Sequence, residues 1–280
     1  MTISGYDALF NSSVANENIV KININQLHSF KNHPFKVVDG VEMDDLVESI
    51  RNKGVINPII VRECTNSDGY EIIAGHRRSR AAALAGLTEI PALIKNISDD
   101  DAVIAMVDSN IYRSVILPSE KAHSYKMKQE ALKHQGKKGI NTNDEIGKKF
   151  GDGERNVQRY IRLTYLIPEL LELVDNNNIA LMPAVDLSYI DKTGQDLLYR
   201  YIKDNNVYPN LKTAKSLKEA YKNSNHLTVT MIGEILKKKS SKTGHTFKLS
   251  NDIVNRYFSD MDKKSIEKEV EKIISNYFSK

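Results

Sequence analysis

The stretch YEIIAGHRRSRAAALAGL, residues 70 to 87, shows most directly how this chain folds and where it could bind a ligand. An apolar run that predicts a β-strand meets Gly75, and an alanine-rich run that favours a helix follows. The first positions of that helix hold one histidine and three arginines: His76, Arg77, Arg78 and Arg80. A helix N-terminus is already partly positive, so cations there are unfavourable unless an anion binds to them. The stretch therefore predicts a phosphate site. The alternatives are an exposed basic turn, or arginines paired with carboxylates such as Glu42 or Asp44.

Strands and helices alternate around this stretch up to about residue 98, and the pattern is helical from Pro118 onward. We therefore predict an α+β, mostly helical chain with a small α/β domain, an all-helical domain and a small helical C-terminal domain. The predicted segments are a flexible N-terminus at 1–19, the α/β domain at 20–117, the helical domain at 118–222 with a helix-turn-helix at 142–163, and the C-terminal region at 223–280.

The composition excludes several classes of protein. No apolar run approaches the roughly 20 residues that cross a membrane. The N-terminal segment lacks the basic start and apolar centre of a signal peptide. Cys64 is the only cysteine, which excludes an intramolecular disulfide and a cysteine-based zinc site. We expect a cytoplasmic protein with no membrane contact. In its last helix, an apolar stripe from Ile266 to Tyr277 is typical of internal packing or of a dimer contact.

The segment TNDEIGKKFGDGERNVQRYI, residues 142–161, has the internal pattern of a helix-turn-helix. Thr142 and Glu145 have the spacing of a capping box, and Gly147 and Gly151 permit a close helix crossing and a backbone reversal. The apolar positions expected to face inward are Ile146, Phe150, Val157, Tyr160 and Ile161. The positions expected to face outward are Arg155, Asn156, Gln158, Arg159 and Arg162. Side chains of these outward types read base edges or hold phosphates.

Positive charge is concentrated around this segment. Residues 121–165 contain eight Lys and three Arg against two Asp and three Glu, a net charge of +6, whereas the whole chain carries +4. Such a concentration favours a polyanionic partner, so the sequence predicts binding to double-stranded DNA. Asp152 stands at a position that is often apolar in such units and weakens the match. The alternative is a basic helical hairpin with a solvated face.

The order of these parts closely resembles the ParB family of chromosome and plasmid partition proteins. The resemblance covers roughly residues 20–190, and its motifs are SIRNKGVINPIIVR, GYEIIAGHRRSRAAALAGLTEIPALI, VDSNIYRSVILPSEKA and the helix-turn-helix. Gly-His-Arg-Arg in place of Gly-Glu-Arg-Arg is similar to members from plasmids and mobile elements. The resemblance implies a ParB–sulfiredoxin-like N-terminal domain and a homodimer on a centromere-like DNA site, located on the nucleoid or plasmid, with a ParA-type ATPase as partner. It also implies CTP bound with Mg²⁺, which closes the dimer into a sliding clamp that slow CTP hydrolysis reopens.

The resemblance also assigns residues to the nucleotide site. The positions that match are Ser49, Gly54, Gly75, His76, Arg77, Arg78, Arg80 and Asn110. Gly75 and the two adjacent arginines would cradle the triphosphate, whereas Ser49 and Gly54 would line the cytidine pocket. Asn110, from the family's Glu-Asn-x-x-Arg motif, would help to hold Mg²⁺ and the phosphates.

Three positions depart from the family pattern. The Glu that precedes the motif's Asn is Ser109, so a carboxylate linked to the metal is missing, and the adjacent Asp108 would point differently. The Glu of the arginine motif is His76. The family's Gln-Pro-Arg falls on residues 33–35, which read His-Pro-Phe, so an arginine contact is lost. We expect these changes to affect hydrolysis more than nucleotide binding.

Other functions of the same fold stay open at this point. Sulfiredoxin is similar in fold, but its reactive cysteine position is Gly75 here, which argues against redox repair. Some relatives of the fold are serine kinases, and others have been called nucleases. A kinase would need a carboxylate base in the pocket, where Ser109 replaces the best candidate. A DNA-binding transcriptional regulator that uses no nucleotide is a further alternative. Whether the chain is an enzyme, with slow CTP hydrolysis, is therefore left open.

Overall fold

The structure, a computed structural model, describes residues 19–64, 68–110, 113, 115–136, 140–237, 251–259 and 261–278. The chain divides into two compact units, residues 1–237 and residues 238–280. Of the predicted flexible segment 1–19, only Ile19 lies within the described residues, and it begins a strand.

A five-stranded mixed sheet forms the centre of the N-terminal part, in the spatial order β1-β5-β3-β4-β2. β3 lies parallel to β5, and β2 lies parallel to β4, whereas the other two neighbouring pairs are antiparallel. The strands are β1 (Ile19–Asn23), β2 (Leu27–His28), β3 (Ile59–Glu63), β4 (Tyr70–Ala74) and β5 (Glu89–Ile94).

Three helices accompany the sheet: α1 (Val41–Lys53), α2 (His76–Leu84) and α3 (Asp99–Ser109). Side chains of a strand alternate between its two faces, and both faces of the central strand β3 are covered. Ile59 and Val61 pack in a cluster with Ala82 of α2, whereas Ile60 packs with Ala105 of α3. This double cover explains why β3 reads as a continuous apolar run rather than as an alternating one.

Eight helices follow within residues 118–237. They are α4 (Pro118–His134), α5 (Ile140–Lys148), α6 (Glu154–Leu163), α7 (Pro168–Asp175), α8 (Leu181–Leu187), α9 (Lys192–Asn205), α10 (Leu211–Ser224) and α11 (Val229–Lys237). One apolar core holds most of them together, with Leu170, Leu187 and Leu198 at less than 1% exposure. The domain boundaries predicted from the sequence stay predictions. In the described part of the chain, this core continues through α11, past residue 222.

The second unit contains α12 (Asn251–Tyr257) and α13 (Lys263–Phe278). The last helix expected from the sequence is thus present, and it contains the stripe from Ile266 to Tyr277. On α13, Ile266 and Val270 are half-buried and Ile273 is exposed. The side chains of Ile274 and Tyr277 lie outside those that the structure describes, so the dimer contact predicted for this stripe stays a prediction.

The predicted α+β, mostly helical fold is confirmed by this combination of one mixed sheet with many helices. A search of the described helices for a segment both long enough and apolar enough to span a lipid bilayer finds none.

Candidate phosphate site and candidate nucleic-acid interface

Gly75 forms the turn between β4 and α2, and this turn requires glycine. Its φ is +104°, a left-handed conformation that favours glycine. A Cβ at this position would lie 2.7 Å from Cγ2 of Ile59, closer than real contacts allow, and 3.0 Å from Nη2 of Arg78, which is a tight contact. The carbonyl of Gly75 accepts the first helical hydrogen bond from the N–H of Ser79, at 2.9 Å. The predicted strand–glycine–helix turn is therefore present.

Two of the three arginines after this turn are paired with carboxylates. Arg77 Nη2 lies 3.2 Å from Glu42 Oε2, and Arg80 Nη2 lies 2.8 Å from Asp39 Oδ2. The hydrogen bond from Arg80 lowers the pKa of the Asp39 carboxyl below its usual value. The pairing that the sequence offered as an alternative to a phosphate is thus confirmed for Glu42. Among the described residues Asp44 forms no ion pair with these arginines, and the second carboxylate is Asp39, which pairs with Arg80.

Arg78 turns away from this pair and supports the sheet. Its Nη1 donates to the carbonyls of Asn57 and Pro58, at 2.7 Å and 2.6 Å, just before β3 begins. This side chain therefore fixes the Gly75 turn against the start of a buried strand. Its replacement would disturb the turn as well as any anion bound there.

His76 fills space beneath the turn as a neutral ring. It stacks on His33, with ring centroids 3.8 Å apart and an interplanar angle of 35°. Burial, together with the neighbouring His33, lowers the pKa of His76 to about 3. The pKa of His33 is also lowered, mainly by burial. His33 Nδ1 lies 2.7 Å from the carbonyl of Phe35, whereas its buried Nε2 has no hydrogen-bond partner among the described residues.

Asn110 and Ser109 lie at the C-terminal end of α3. Asn110 Nδ2 donates to the carbonyl of Met106 at 2.9 Å, and the hydroxyl of Ser109 donates to the same carbonyl at 2.8 Å. Asp108 points away from Ser109 and into the interior, where it is buried and pairs with lysines that the sequence did not predict as its partners. No group of three or more His, Cys, Asp or Glu that could hold a metal ion occurs in the described ranges.

The structure brings two arginines from separate motifs to one cleft of about 260 Å³. The cleft is lined by Arg77, Arg113 and residues 38–43. Sequence reasoning missed Arg113 as a site residue. Its position three residues after Asn110, as the Arg of the same motif, is the signal that could have identified it. His76 and Arg80 line a second pocket of about 430 Å³. Ser49 is exposed on α1, and Gly54 ends α1 at φ +70°; neither lines these two clefts.

The helix-turn-helix is formed by α5 and α6. A Cβ on Gly147 would lie 2.2 Å from the carbonyl oxygen of Asp152 and 2.8 Å from Cγ2 of Val157, so the crossing requires glycine there. Gly151 has φ +69°, the left-handed conformation that reverses the chain. Ile146 and Val157 are fully buried. The predicted close crossing, reversal and inner faces are therefore confirmed.

Two details of this motif differ from the sequence expectation. The predicted capping box is wrong, because α5 begins at Ile140 and Thr142 lies buried inside its first turn. Asp152, which seemed to weaken the match, fastens the turn to α4. It accepts a hydrogen bond from the Tyr125 hydroxyl at 2.6 Å and pairs with Lys121 at 2.6 Å. Burial, with this carboxylate as second cause, raises the pKa of Tyr125.

The outward face of α6 presents the predicted polar side chains. Arg155 and Gln158 are exposed, and Gln158 Nε2 donates to Glu154 Oε1 at 3.1 Å. Arg159 is half-buried and donates from Nη1 to Asn156 Oδ1 at 2.9 Å. Arg155 and Gln158 therefore offer the most accessible donors on this helix.

Arg162 has a structural environment of its own. Its guanidinium lies over the rings of Tyr165 and Tyr189, 4.3 Å and 4.0 Å from their centroids. It also donates to the side chain and the carbonyl of Ser188, at 3.0 Å and 2.8 Å. These contacts join the end of α6 to the segment after α8 and hold Arg162 in one orientation.

Residues 10–111 match the family model described as the ParB N-terminal domain. These residues are a ParB N-terminal domain. The resemblance to ParB proteins stated from the sequence is thereby confirmed. Over 161 residues the chain is 33% identical to the Chromosome-partitioning protein Spo0J of Thermus thermophilus, covering 58% of this chain and 56% of that protein. Over 163 residues it is 30% identical to the Chromosome-partitioning protein ParB of Myxococcus xanthus, covering 58% and 52%. The chain spans about half the length of these curated relatives.

Solved structures of ParB proteins also align with the chain. A C-terminally truncated ParB from Caulobacter crescentus, complexed to the centromeric parS site, aligns with 22% identity and a TM-score of 0.42. That match covers 72% of this chain and 99% of the other. The truncated ParB of the same organism complexed with CTP-γ-S aligns with 25% identity and a TM-score of 0.33, covering 66% and 99%.

Buried charges fasten the ParB N-terminal domain to the helix-turn-helix. Asp108 of α3 pairs with Lys128 of α4 and, at 2.8 Å, with Lys149 just after α5. Burial lowers the pKa of Lys128, while Asp108 opposes that change. At the start of α4, the buried carboxylate of Glu120 accepts a hydrogen bond from the backbone N–H of Lys36 at 2.8 Å. Helix α4 therefore holds both parts through charged contacts.

Proposed function

We propose that this chain is a sequence-specific DNA-binding partition protein that binds a centromere-like site as a dimer and acts as a CTP-gated DNA clamp. The observation that carries the proposal is the attachment of a ParB N-terminal domain to a helix-turn-helix with an exposed cationic face. The names of the curated relatives, which are chromosome-partitioning proteins, support this function. The biological setting is segregation of a chromosome, a plasmid or a mobile element.

In this proposal α6 is the recognition helix. Arg155 and Gln158 reach base edges or phosphates directly because they are exposed. Arg159 and Asn156 act as a hydrogen-bonded pair, which presets the direction of the guanidinium. Arg162 contacts the DNA backbone only from its fixed place between two tyrosines. The net charge of +6 over residues 121–165 adds sequence-independent attraction.

The nucleotide in this proposal is CTP with Mg²⁺, bound at the Gly75 turn. Arg77 and Arg113 share one cleft and would hold the phosphates, since guanidinium–phosphate contacts are charge-assisted and often bidentate. Arg78 would contribute mainly by fixing the turn. Ser49 and Gly54 would line the cytidine pocket, and Asn110 would help to hold the metal. Hydrolysis is proposed to be slow or absent, because Ser109 cannot supply a carboxylate.

The partners in this proposal are double-stranded DNA, a second copy of the chain and a ParA-type ATPase. Two half-sites on one face of DNA require two recognition helices about 34 Å apart, which one chain cannot supply. The stripe on α13 is the proposed permanent contact between copies. The protein would act in the cytoplasm, on the nucleoid or plasmid.

Selection from a pool of random duplex DNA tests the proposed function. The full chain should enrich a two-fold symmetric site, and sedimentation with that duplex should show two chains for each duplex. CTP should then make the complex resistant to high salt on closed circular DNA, because a closed clamp does not depend on phosphate contacts. Enrichment of no sequence above the random pool would contradict the proposal.

A DNA-binding regulator without nucleotide use is the second candidate. It is favoured by one observation: Arg77, Arg78 and Arg80 all have protein partners in this structure. Both candidates bind specific DNA, so only the first predicts that CTP changes the complex. Identical dissociation rates from the selected duplex with and without CTP would favour the second.

A further inference from the structure

Carboxylates from one short segment face the arginines of the candidate phosphate site. Asp39 lies just before α1 and Glu42 lies in its first turn, and both reach across to the first turns of α2. The backbone carbonyl of Glu42 also lies 3.5 Å from Arg77 Nη2. Residues 38–43 line the same cleft as Arg77 and Arg113. Two of the three arginines in the motif are thus neutralised from the same four-residue stretch.

A carboxylate occupies the donors that a phosphate would use. Guanidinium groups bind both anions through the same N–H directions. An incoming phosphate therefore gains the donors of Arg77 only if Glu42 moves away, and a carboxylate left in place would repel it. The cleft volume of about 260 Å³ also falls below the usual range of ligand pockets, roughly 300–1,000 Å³.

The pairs are weak enough to be displaced. The side chain of Glu42 is 81% exposed and that of Arg77 is 43% exposed. Exposed ion pairs add little stability, because water and salt screen them and long side chains lose freedom in forming them. A chain of several phosphates can outcompete two such carboxylates, whereas a single orthophosphate carries too little charge to do so.

We propose that Glu42 and Asp39 form an acidic latch on Arg77 and Arg80, and that the polyphosphate chain of a nucleotide binds this site by displacing the latch. The inference rests on the proposed nucleotide function of the same site. The latch lowers the affinity for every phosphate ligand and restricts the site to polyphosphates.

Removing the latch charges one at a time tests this inference. The variants are Glu42→Gln, Asp39→Asn and the double substitution, with Asp44→Asn as the matched control. Asp44 is exposed on the same first turn of α1 but forms no ion pair with these arginines among the described residues. The control therefore removes one charge and one favourable helix-dipole contact without touching the latch.

Calorimetric titration with CTP and with inorganic tripolyphosphate, both in Mg²⁺, measures the effect. Glu42→Gln should raise the affinity for both ligands about threefold to tenfold. The change is modest because the exposed ion pair that it removes is weak. The double variant should tighten them further, and Asp44→Asn should leave both within about twofold. Orthophosphate should bind detectably only to the double variant.

The outcomes separate this inference from the proposed function. If the parent chain binds CTP and Glu42→Gln binds it with the same affinity, the latch is overturned and the proposed function still stands. Weaker CTP binding in Glu42→Gln would also overturn it, because Glu42 would then assist the ligand or its metal. If Glu42→Gln raises the affinity for CTP but not the affinity for tripolyphosphate, the effect lies outside the phosphate chain. That result would likewise overturn the latch. Binding of neither ligand by parent and variants would overturn both proposals.

Discussion

Lys149, one residue after α5 ends, places its Nζ 2.8 Å from Oδ2 of Asp108 at the end of α3. The same carboxylate pairs with Lys128, whose side chain is 4% exposed. One buried aspartate therefore joins the ParB N-terminal domain to the helix-turn-helix and compensates a buried lysine. A single carboxylate with two partners makes this contact sensitive to substitution.

Replacing Asp108 with Asn should destabilise the chain strongly. The Lys128 ammonium would stay buried without its counter-charge, which typically costs about 3–5 kcal/mol. Urea unfolding at neutral pH measures the change. The matched control is Asp144→Asn, which breaks an exposed pair with Lys148 on α5 and should change the stability far less, because water and salt screen exposed pairs. Equal small losses in both variants would contradict the buried pairing.

Stability should fall with decreasing pH because of His76. Its pKa is about 3 in the folded chain and 6.5 as the ordinary value, so only the unfolded chain gains this proton between those values. The contribution to stability is present above pH 6.5 and is lost as the pH falls toward 3, by about 1.4 kcal/mol per unit. Comparing the pH dependence of unfolding in the parent and in His76→Gln isolates this residue. An unchanged slope would mean that folding does not lower the pKa of His76.

Arg155 and Arg162 should behave differently although both lie on α6. Arg155→Ala should weaken binding to the selected duplex by about 1–3 kcal/mol and leave the melting temperature unchanged, because this side chain is exposed. Arg162→Ala should lower stability by about 2 kcal/mol, since it loses two hydrogen bonds and two stacked rings. Binding and melting assays on both variants distinguish the roles. Equal loss of DNA affinity with no loss of stability would contradict the anchoring of Arg162.

Removing residues 245–280 should abolish the permanent contact between copies. The truncated chain should sediment as a monomer without nucleotide, because the α13 stripe is absent, while residues 1–237 keep their own core. A full-length chain with Ile273→Glu provides a second test, as this exposed side chain lies on the same stripe. A dimer in the truncated chain would place the contact elsewhere.

The features that could be predicted from the sequence are those fixed by short-range geometry. Gly75, Gly147 and Gly151 were predictable because a turn or a close crossing needs glycine at one defined position. The capping box at Thr142 was wrong because the same residue pattern also fits the interior of a helix that starts two residues earlier, at Ile140.

The remaining features depend on segments that are distant in sequence. The stacking of His33 on His76 and the pairing of Arg80 with Asp39 arise because α1 and its preceding loop fold over the Gly75 turn. No short sequence pattern predicts contacts between segments that are so far apart in the chain. In the sequence Lys149 is one member of a basic stretch, but in the structure it pairs with a buried aspartate, Asp108, that lies 41 positions earlier. Charge composition predicts a polyanionic partner, but it does not show which lysines and arginines already pair with groups inside the protein.

The most direct test of the account is a calorimetric titration of CTP, in Mg²⁺ and with the selected duplex present, into the parent chain and into Arg77→Ala. We predict that the parent binds CTP more tightly than ATP or GTP. Arg77→Ala should bind CTP about 10- to 100-fold more weakly, since a charge-assisted phosphate contact is lost. Simple DNA binding should survive in that variant, because α5 and α6 do not contain the cleft. Absence of heat with any nucleotide in the parent, with or without DNA, would contradict a nucleotide-gated clamp.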